Sequence, residues 1–230
     1  MARETTEALA QAQPGLTQPL QERSRRSLEK FLEAAKEVVS ERGFEDASVA
    51  EIVERSGLSV GAFYQRFENK AALLTMVHTR FVEWRLEQIE QFTPARWERF
   101  SIADVLGNVI AVGVRSADDD GGFLTACFRR ALSDKEFAAR EARTRKALAL
   151  QLANIFEQRA DEIGHNHPRL AADFLVRLIA SMNSDRFHLR DSVGLLEFSA
   201  ERMTSELLDV CLRYLGIEQS RDRGRVESGD

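Results

Sequence analysis

The stretch "GLSVGAFYQRFENK", residues 57–70, decides how the rest of the chain is read. Gly57 ends one helical pattern, Ser59 stands where a helix N-cap belongs, and Asn69 stands where the next helix is capped. Between the caps lie residues 60–67, a rod of roughly 12 Å at about 1.5 Å per residue. A helix this short does not hold itself together in water. Phe63 and Phe67 are four positions apart, so they share a face and can anchor the rod on its neighbours. Val60, Gly61, Tyr64, Gln65 and Arg66 are then left pointing outward, and the short helix becomes a means of presenting them.

Working upstream, Leu28, Phe31, Leu32, Ala35, Val38 and Val39 recur at three- and four-residue intervals from Ser24 onward, which predicts a first helix that Gly43 stops. "SVAE" at 48–51 follows, with Ser48 at an N-cap and Glu51 three residues on, the capping-box pattern. Ile52 and Val53 mark one face of this second helix, which ends near Ser56 and Gly57. Two short helices joined by a glycine-containing turn form a helix-turn-helix, whose second helix lies in the DNA major groove. The side chains suit that task. Arg66 can donate bidentately to a guanine edge, Gln65 can pair with an adenine edge or a phosphate, and the Tyr64 hydroxyl can reach the backbone. Gly61 lets a sugar-phosphate chain come close, and the N-termini of the second and fourth helices, beside Ser48 and Lys70, offer backbone N–H groups to phosphates.

Residues 24–74, and "SVAEIVERSGLSVGAFYQRFENKAALL" above all, resemble the DNA-binding domain of the TetR family of bacterial transcriptional regulators. The resemblance rests on the "GF" after the first helix, the capped second helix, the "SGLS" turn, the "G-x-x-Y-x-x-F" of the recognition helix and the "NK" that opens the fourth. It implies DNA contacts at Val60, Gly61, Tyr64, Gln65 and Arg66 and phosphate contacts at Lys70 and Ser48. Val60 departs from the polar or basic residue that many members carry there, and a valine can still touch a thymine methyl.

Beyond the recognition helix, Leu73, Leu74, Val77, Phe81 and Trp84 keep a helical stripe from Ala71 to about Phe92, so a long fourth helix leads into a second region. Further helices are expected over about 101–117, 122–132, 135–163, 169–189 and 194–215, punctuated by Gly121, Gly122, Gly164 and Pro168. The expected architecture is all-α: a mobile tail over 1–22, a three-helix helix-turn-helix domain over 23–70, a helical ligand-binding and dimerisation domain over 71–217, and a second tail over 218–230. The last two helices are apolar on more than one side, and the family pairs through its last two long helices. Leu175, Ile179, Met203, Leu207, Leu208, Cys211 and Leu212 are therefore expected at a homodimer interface, with a fully intramolecular core as the alternative. The resemblance also implies a cavity for a small-molecule effector of unknown class, with Phe123, Phe128, Phe156, Phe174, Asn183, Phe187 and His188 as its candidate lining; plain core packing is the alternative for the phenylalanines.

Composition sets the outer bounds. The chain has 230 residues, is 43% hydrophobic and carries a net charge of −5, enough apolar content for real cores and the wrong sign for a large basic field. Residues 23–70 balance to zero, so the acid lies elsewhere. Arg23, Arg25 and Arg26 fit either a basic arm over DNA or a solubilising start to the first helix. Two distant cysteines, Cys127 and Cys211, read as small buried hydrophobes and point to a reducing, cytoplasmic setting. No run of about eighteen apolar residues suggests a membrane span. His165 and His167 lack further ligands for a metal site, and no phosphate loop or hydrolytic constellation stands out, so neither an enzyme nor a cofactor is expected. The reading that follows is a repressor that binds a palindromic operator in double-stranded DNA and is released by a small molecule; the alternative is an all-α dimeric binding protein that no longer reads DNA.

Overall fold

A computed structural model of the chain describes residues 17–188 and 198–217, with side chains over 22–185 and 198–217. The tails over 1–16 and 218–230 lie outside the described residues. The helices run α1 (Thr17–Asp46), α2 (Val49–Ser56), α3 (Val60–Tyr64), α4 (Lys70–Glu90), α5 (Pro94–Trp97), α6 (Ile102–Asp119), α7 (Gly121–Ser133), α8 (Lys135–Gln158), α9 (Pro168–His188) and α10 (Ala200–Tyr214), with a single 3-10 turn at Ala160–Glu162. Every regular element among the described residues is helical, and none is long and apolar enough to cross a membrane. The chain forms two compact units, Met1–Phe81 and Val82–Asp230, and α4 contains the boundary.

In the first unit the core is a cluster of three phenylalanines. Phe31 of α1 meets the Phe63 ring edge-on at 5.7 Å and the Phe67 ring at 6.0 Å, and Phe63 and Phe67 lie 5.4 Å apart. Such edge-to-face arrangements add to the area the rings already bury. Ala35, Val39, Ile52 and Leu73 complete a fully buried shell from α1, α2 and α4. Arg55 joins α2 to α1 through a bidentate pair with Glu41, at 2.5 and 2.8 Å.

Two details of α1 depart from expectation. It begins at Thr17, upstream of Ser24, because Pro19 is compatible with a first helical turn and the exposed Glu22–Arg26 pair, four apart, supports the helix without any apolar stripe. At the other end Gly43 does leave the helical region (φ 85°, ψ 173°), yet one more turn follows it to Asp46. Only glycine adopts that φ without strain.

The second unit has its own core, built from four helices. Val105, Leu106 and Ile110 of α6, Leu152, Ile155 and Phe156 of α8, Ala171, Ala172 and Leu175 of α9, and Leu207, Cys211 and Leu212 of α10 meet there. Its base is closed where the Gly164 N–H donates to the Leu215 carbonyl at 2.8 Å; the left-handed Gly216 (φ 71°) sits so near Gly164 that a side-chain carbon would come within 3.1 Å. The Cys211 thiol is buried in this core, which pushes its pKa up to about 11. It is an inert hydrophobe, not a reactive thiolate. Helix α8 stops at Gln158, short of the expected 163, and α10 begins at Ala200, where the Ser199 hydroxyl accepts from the Arg202 N–H.

The residues expected at a dimer interface pack as the alternative, an intramolecular core, would have them. Leu175, Ile179, Met203, Leu207, Cys211 and Leu212 are all buried inside the protomer, and Leu208 packs on α6 beside Gly107. A side chain already enclosed by its own chain has no surface to offer a partner. Among the described residues, the large apolar side chains that the same two helices expose are Leu170, Phe174 and Val210, flanked by half-buried Leu178 and Tyr214. Phe174 and Tyr214 stack at 4.8 Å, and His165 extends the stack against Tyr214 at 4.9 Å.

Candidate nucleic-acid interface

Each piece of the helix-turn-helix is locked by its own caps. At the start of α2, the Ser48 hydroxyl accepts from the Glu51 N–H at 3.2 Å and donates to the Glu51 carboxylate at 2.7 Å, while the Ser48 N–H donates to that carboxylate at 3.3 Å. The Ser48 hydroxyl above all, with the Ser48 N–H adding to it, holds the Glu51 carboxyl below the usual carboxylate range against the opposing effect of desolvation. At the end of α2, Gly57 turns left-handed (φ 66°, ψ 21°) and donates to the Glu54 carbonyl. Two residues later the Ser59 hydroxyl accepts from the Ala62 N–H at 3.1 Å and starts α3. The Asn69 side chain accepts from the Ala72 N–H at 2.9 Å and starts α4.

Helix α3 is even shorter than expected: regular helix covers Val60–Tyr64, and residues 65–66 form a turn that ends on buried Phe67. Phe63 faces inward with no exposed surface. Its neighbours face out. Val60 is 53% and Tyr64 59% exposed, Gly61 and Gln65 are exposed, and Arg66 is half-buried. Among the described residues the Gln65 amide and the Arg66 guanidinium have no hydrogen-bond partner, so both groups are available to something outside the chain.

Gly61 gives the sharpest local observation. A β-carbon built on it would meet only the Ser59 hydroxyl, at 3.8 Å, which is ordinary contact, and its backbone is plain right-handed helix. Glycine in a helix costs roughly 0.5–1 kcal/mol relative to alanine. Nothing within the protomer calls for a glycine at this position.

The remaining expected site residues are placed as follows. The Ser48 hydroxyl proton already points at Glu51, so a phosphate at Ser48 would displace that bond. The Lys70 ammonium donates to the backbone carbonyls of Glu45, at 2.8 Å, and Phe44, at 3.4 Å. Of the expected effector lining, Phe123 and Phe156 are fully buried core residues, while Phe128 and Phe174 are 43% and 45% exposed. Exposed rings do not line an enclosed cavity; Phe174 belongs to the surface stack described above. Asn183 is buried to 9% exposure with its Oδ1 unpartnered, and its amide lies so close to Gly113 that a β-carbon there would come within 2.3 Å of Nδ2. The Trp97 Nε1 is a second buried polar atom without a partner. The side chains of Phe187 and His188 lie outside the described residues. His165 accepts from the His167 backbone N–H through Nδ1, at 3.1 Å.

Comparison with known proteins agrees with this geometry. Residues 31–77 match the family described as bacterial regulatory proteins, tetR family. An uncharacterized HTH-type transcriptional regulator of Bacillus subtilis strain 168, YvdT, is 35% identical over 78 residues; the match covers 34% of this chain and 40% of the relative's length. Solved structures share the fold over much more of the chain. GusR of Salmonella enterica superposes with a TM-score of 0.62 at 18% identity, covering 83% of this chain and 95% of that one. FadR of Bacillus subtilis, solved in complex with stearoyl-CoA, gives 0.62 at 18% over 79% and 96%. A TetR transcription regulator of Haloarcula marismortui gives 0.64 at 15% over 83% and 96%. The head, residues 31–77, thus matches the tetR family of bacterial regulatory proteins, and the helical fold behind it is shared with these solved structures.

Proposed function

We propose that this chain is a ligand-responsive transcriptional repressor that binds a palindromic operator as a homodimer and is released from it by a small molecule. The observation that carries the DNA part is Gly61 beside the unpartnered Gln65 and Arg66. An exposed helix position kept free of a side chain that the fold would accept is explained by a partner's close approach, and the donors around it suit a polyanion. In this reading Arg66 and Gln65 read base edges, Val60 touches a thymine methyl, and Tyr64 and Ser48 meet phosphates. The protein acts in the cytoplasm, where its DNA is.

The dimer is assigned to the exposed Leu170, Phe174 and Val210 with half-buried Leu178 and Tyr214, on α9 and α10. A two-fold axis there would set the recognition helices about 34–36 Å apart, or a multiple of it, for a palindrome. For the effector, the buried and unpartnered Asn183 Oδ1 and Trp97 Nε1 supply an acceptor and a donor in the second unit. FadR with stearoyl-CoA is a precedent for a ligand in this fold and says nothing of the ligand's class here. Coupling between effector and operator in such a system is typically about 1–3 kcal/mol.

The test is selection of bound duplexes from a random pool by the full-length protein at two salt concentrations. An enriched palindrome is the expected result. Recovery of no motif at either salt would replace this reading with an all-α dimeric binding protein that does not read DNA sequence.

A further inference from the structure

Val60 opens α3, and Ser59 fixes where that opening lies by accepting from the Ala62 N–H. The first residues of a recognition helix are the ones that reach base edges. A single exposed valine ordinarily calls for no explanation. Val60 differs in its neighbours. It is 53% exposed, it shares its strip of the helix with Tyr64 one turn on, and the bare Gly61 lies beside that strip. A partner that closes on Gly61 therefore also closes on the Val60 isopropyl group and strips water from whatever it sets there. A hydrogen-bonding group buried against an isopropyl is left unpaired, which is costly. Base edges in the major groove carry donors and acceptors throughout and one apolar group, the C5-methyl of thymine. The branched valine side chain is stiff at χ1, so it offers that methyl a fixed apolar shape.

We propose that Val60 is a specificity-determining residue: its isopropyl group reads one pyrimidine C5-methyl in each operator half-site, on thymine or on 5-methylcytosine alike. The assignment rests on the DNA-binding reading and commits it to more than contact. The Val60 side chain has no donor or acceptor, so it tells bases apart by the methyl alone. Deoxyuridine pairs as thymine does and lacks only that methyl, so it is bound less tightly at this position. Cytosine gains affinity there once it is methylated at C5, and an operator carrying cytosine at this position is recognised according to its methylation. An isopropyl group resting on a deoxyribose instead would show no such dependence.

The test uses the full-length protein and the duplex it selects. Each thymine of the half-site is replaced in turn by deoxyuridine, in both half-sites at once, and affinities are measured for wild type and for Val60→Ser, which exchanges both γ-methyls for one hydroxyl. At one position the replacement weakens wild type about fourfold per half-site, the worth of one methyl group buried from water. Val60→Ser does not respond to the replacement there, which couples the two groups. With that position rebuilt as a cytosine–guanine pair, C5-methylation of the cytosine tightens wild type by the same factor and leaves Val60→Ser unchanged. If wild type tolerates deoxyuridine at every position, the proposal is overturned, and this arm needs no variant. A methyl effect of equal size in both proteins overturns it as well, because the methyl then belongs to another side chain. Selection of no motif by wild type fails the DNA-binding reading itself and the proposal with it, whereas a selected motif indifferent to its methyl groups fails the Val60 assignment alone.

Discussion

Helices α3 and α9 both set a buried residue directly beside an exposed aromatic one, Phe63 next to Tyr64 and Leu175 next to Phe174. Their exposed rows differ in kind. Along α3 and the turn after it the outward set is Val60, a bare glycine, a phenol, an amide and a guanidinium; on α9 it is Leu170, Phe174 and half-buried Leu178. A row of donors with one gap suits a charged, hydrogen-bonding surface that comes very close, whereas an apolar row suits another apolar surface. The inner neighbour shows how a helix is held, and the outer one shows what it is held for.

The strongest challenge to that contrast is at the inner positions. Phe63→Ala removes the ring that α3 shares with Phe31 and Phe67, and should cost about 3–5 kcal/mol of stability in the first unit. Hydrogen exchange should register the loss over residues 31–77 and leave the second core protected; a loss spread evenly over both units would contradict the division into separate cores. Next comes the pair on α9. Leu175→Ala should cost about 2–5 kcal/mol in thermal melts at high protein concentration. Phe174→Ser should leave the fold nearly unchanged and shift the monomer–dimer equilibrium in sedimentation; the reverse assignment of effects would restore the buried row as the interface.

Smaller effects sharpen the α3 side. Arg66→Ala should weaken operator binding by about 1–3 kcal/mol and relax preference at one base pair per half-site, read by repeating the duplex selection with the variant. Gly61→Ala should stabilise the protein by roughly 0.5–1 kcal/mol while weakening operator binding, because the methyl fits the protomer and not the partner's approach. A variant both more stable and equally tight on DNA would remove the best argument for a close contact at α3.

The smallest effect is common to both units. The capping carboxyls of Glu51 and Asp104 are held below the usual carboxylate range, first of all by the Ser48 and Ser101 hydroxyls. A folded-state pKa below the unfolded one gives stability that is complete above the ordinary carboxylate pKa and is lost as pH falls through the lowered value. Urea midpoints should therefore drop in the acid range below about pH 4, where these carboxyls protonate. Glu51→Gln should flatten part of that drop in the first unit, and Asp104→Asn in the second.

Much of the head was legible because its signals are local. Ser48 with Glu51, Gly57, Ser59 and Asn69 each act within three residues, so their caps could be read from spacing, and Phe63 with Phe67 gave the inward face of the recognition helix. The start of α1 was missed because an exposed helix carrying i,i+4 ion pairs has no apolar stripe to announce it. The carbonyl partners of Lys70 were missed for another reason: they lie 25 and 26 positions away, and no periodicity reports them.

The second unit divides the same way. Apolar residues on two sides of α9 and α10 identify helices with two apolar faces and do not say which face the chain itself will cover. Leu175, Ile179, Met203, Leu207, Cys211 and Leu212 went inside, while Leu170, Phe174 and Val210 stayed outside. The sequence by itself determined that the chain is helical, where α2, α3 and α4 start, and which family its head resembles, since caps, turns and periodicity act over one or two helical turns. Tertiary structure alone decided which apolar row is core, where the Lys70 ammonium goes and which polar atoms of Asn183 and Trp97 are left without partners, since each depends on which distant segment packs alongside.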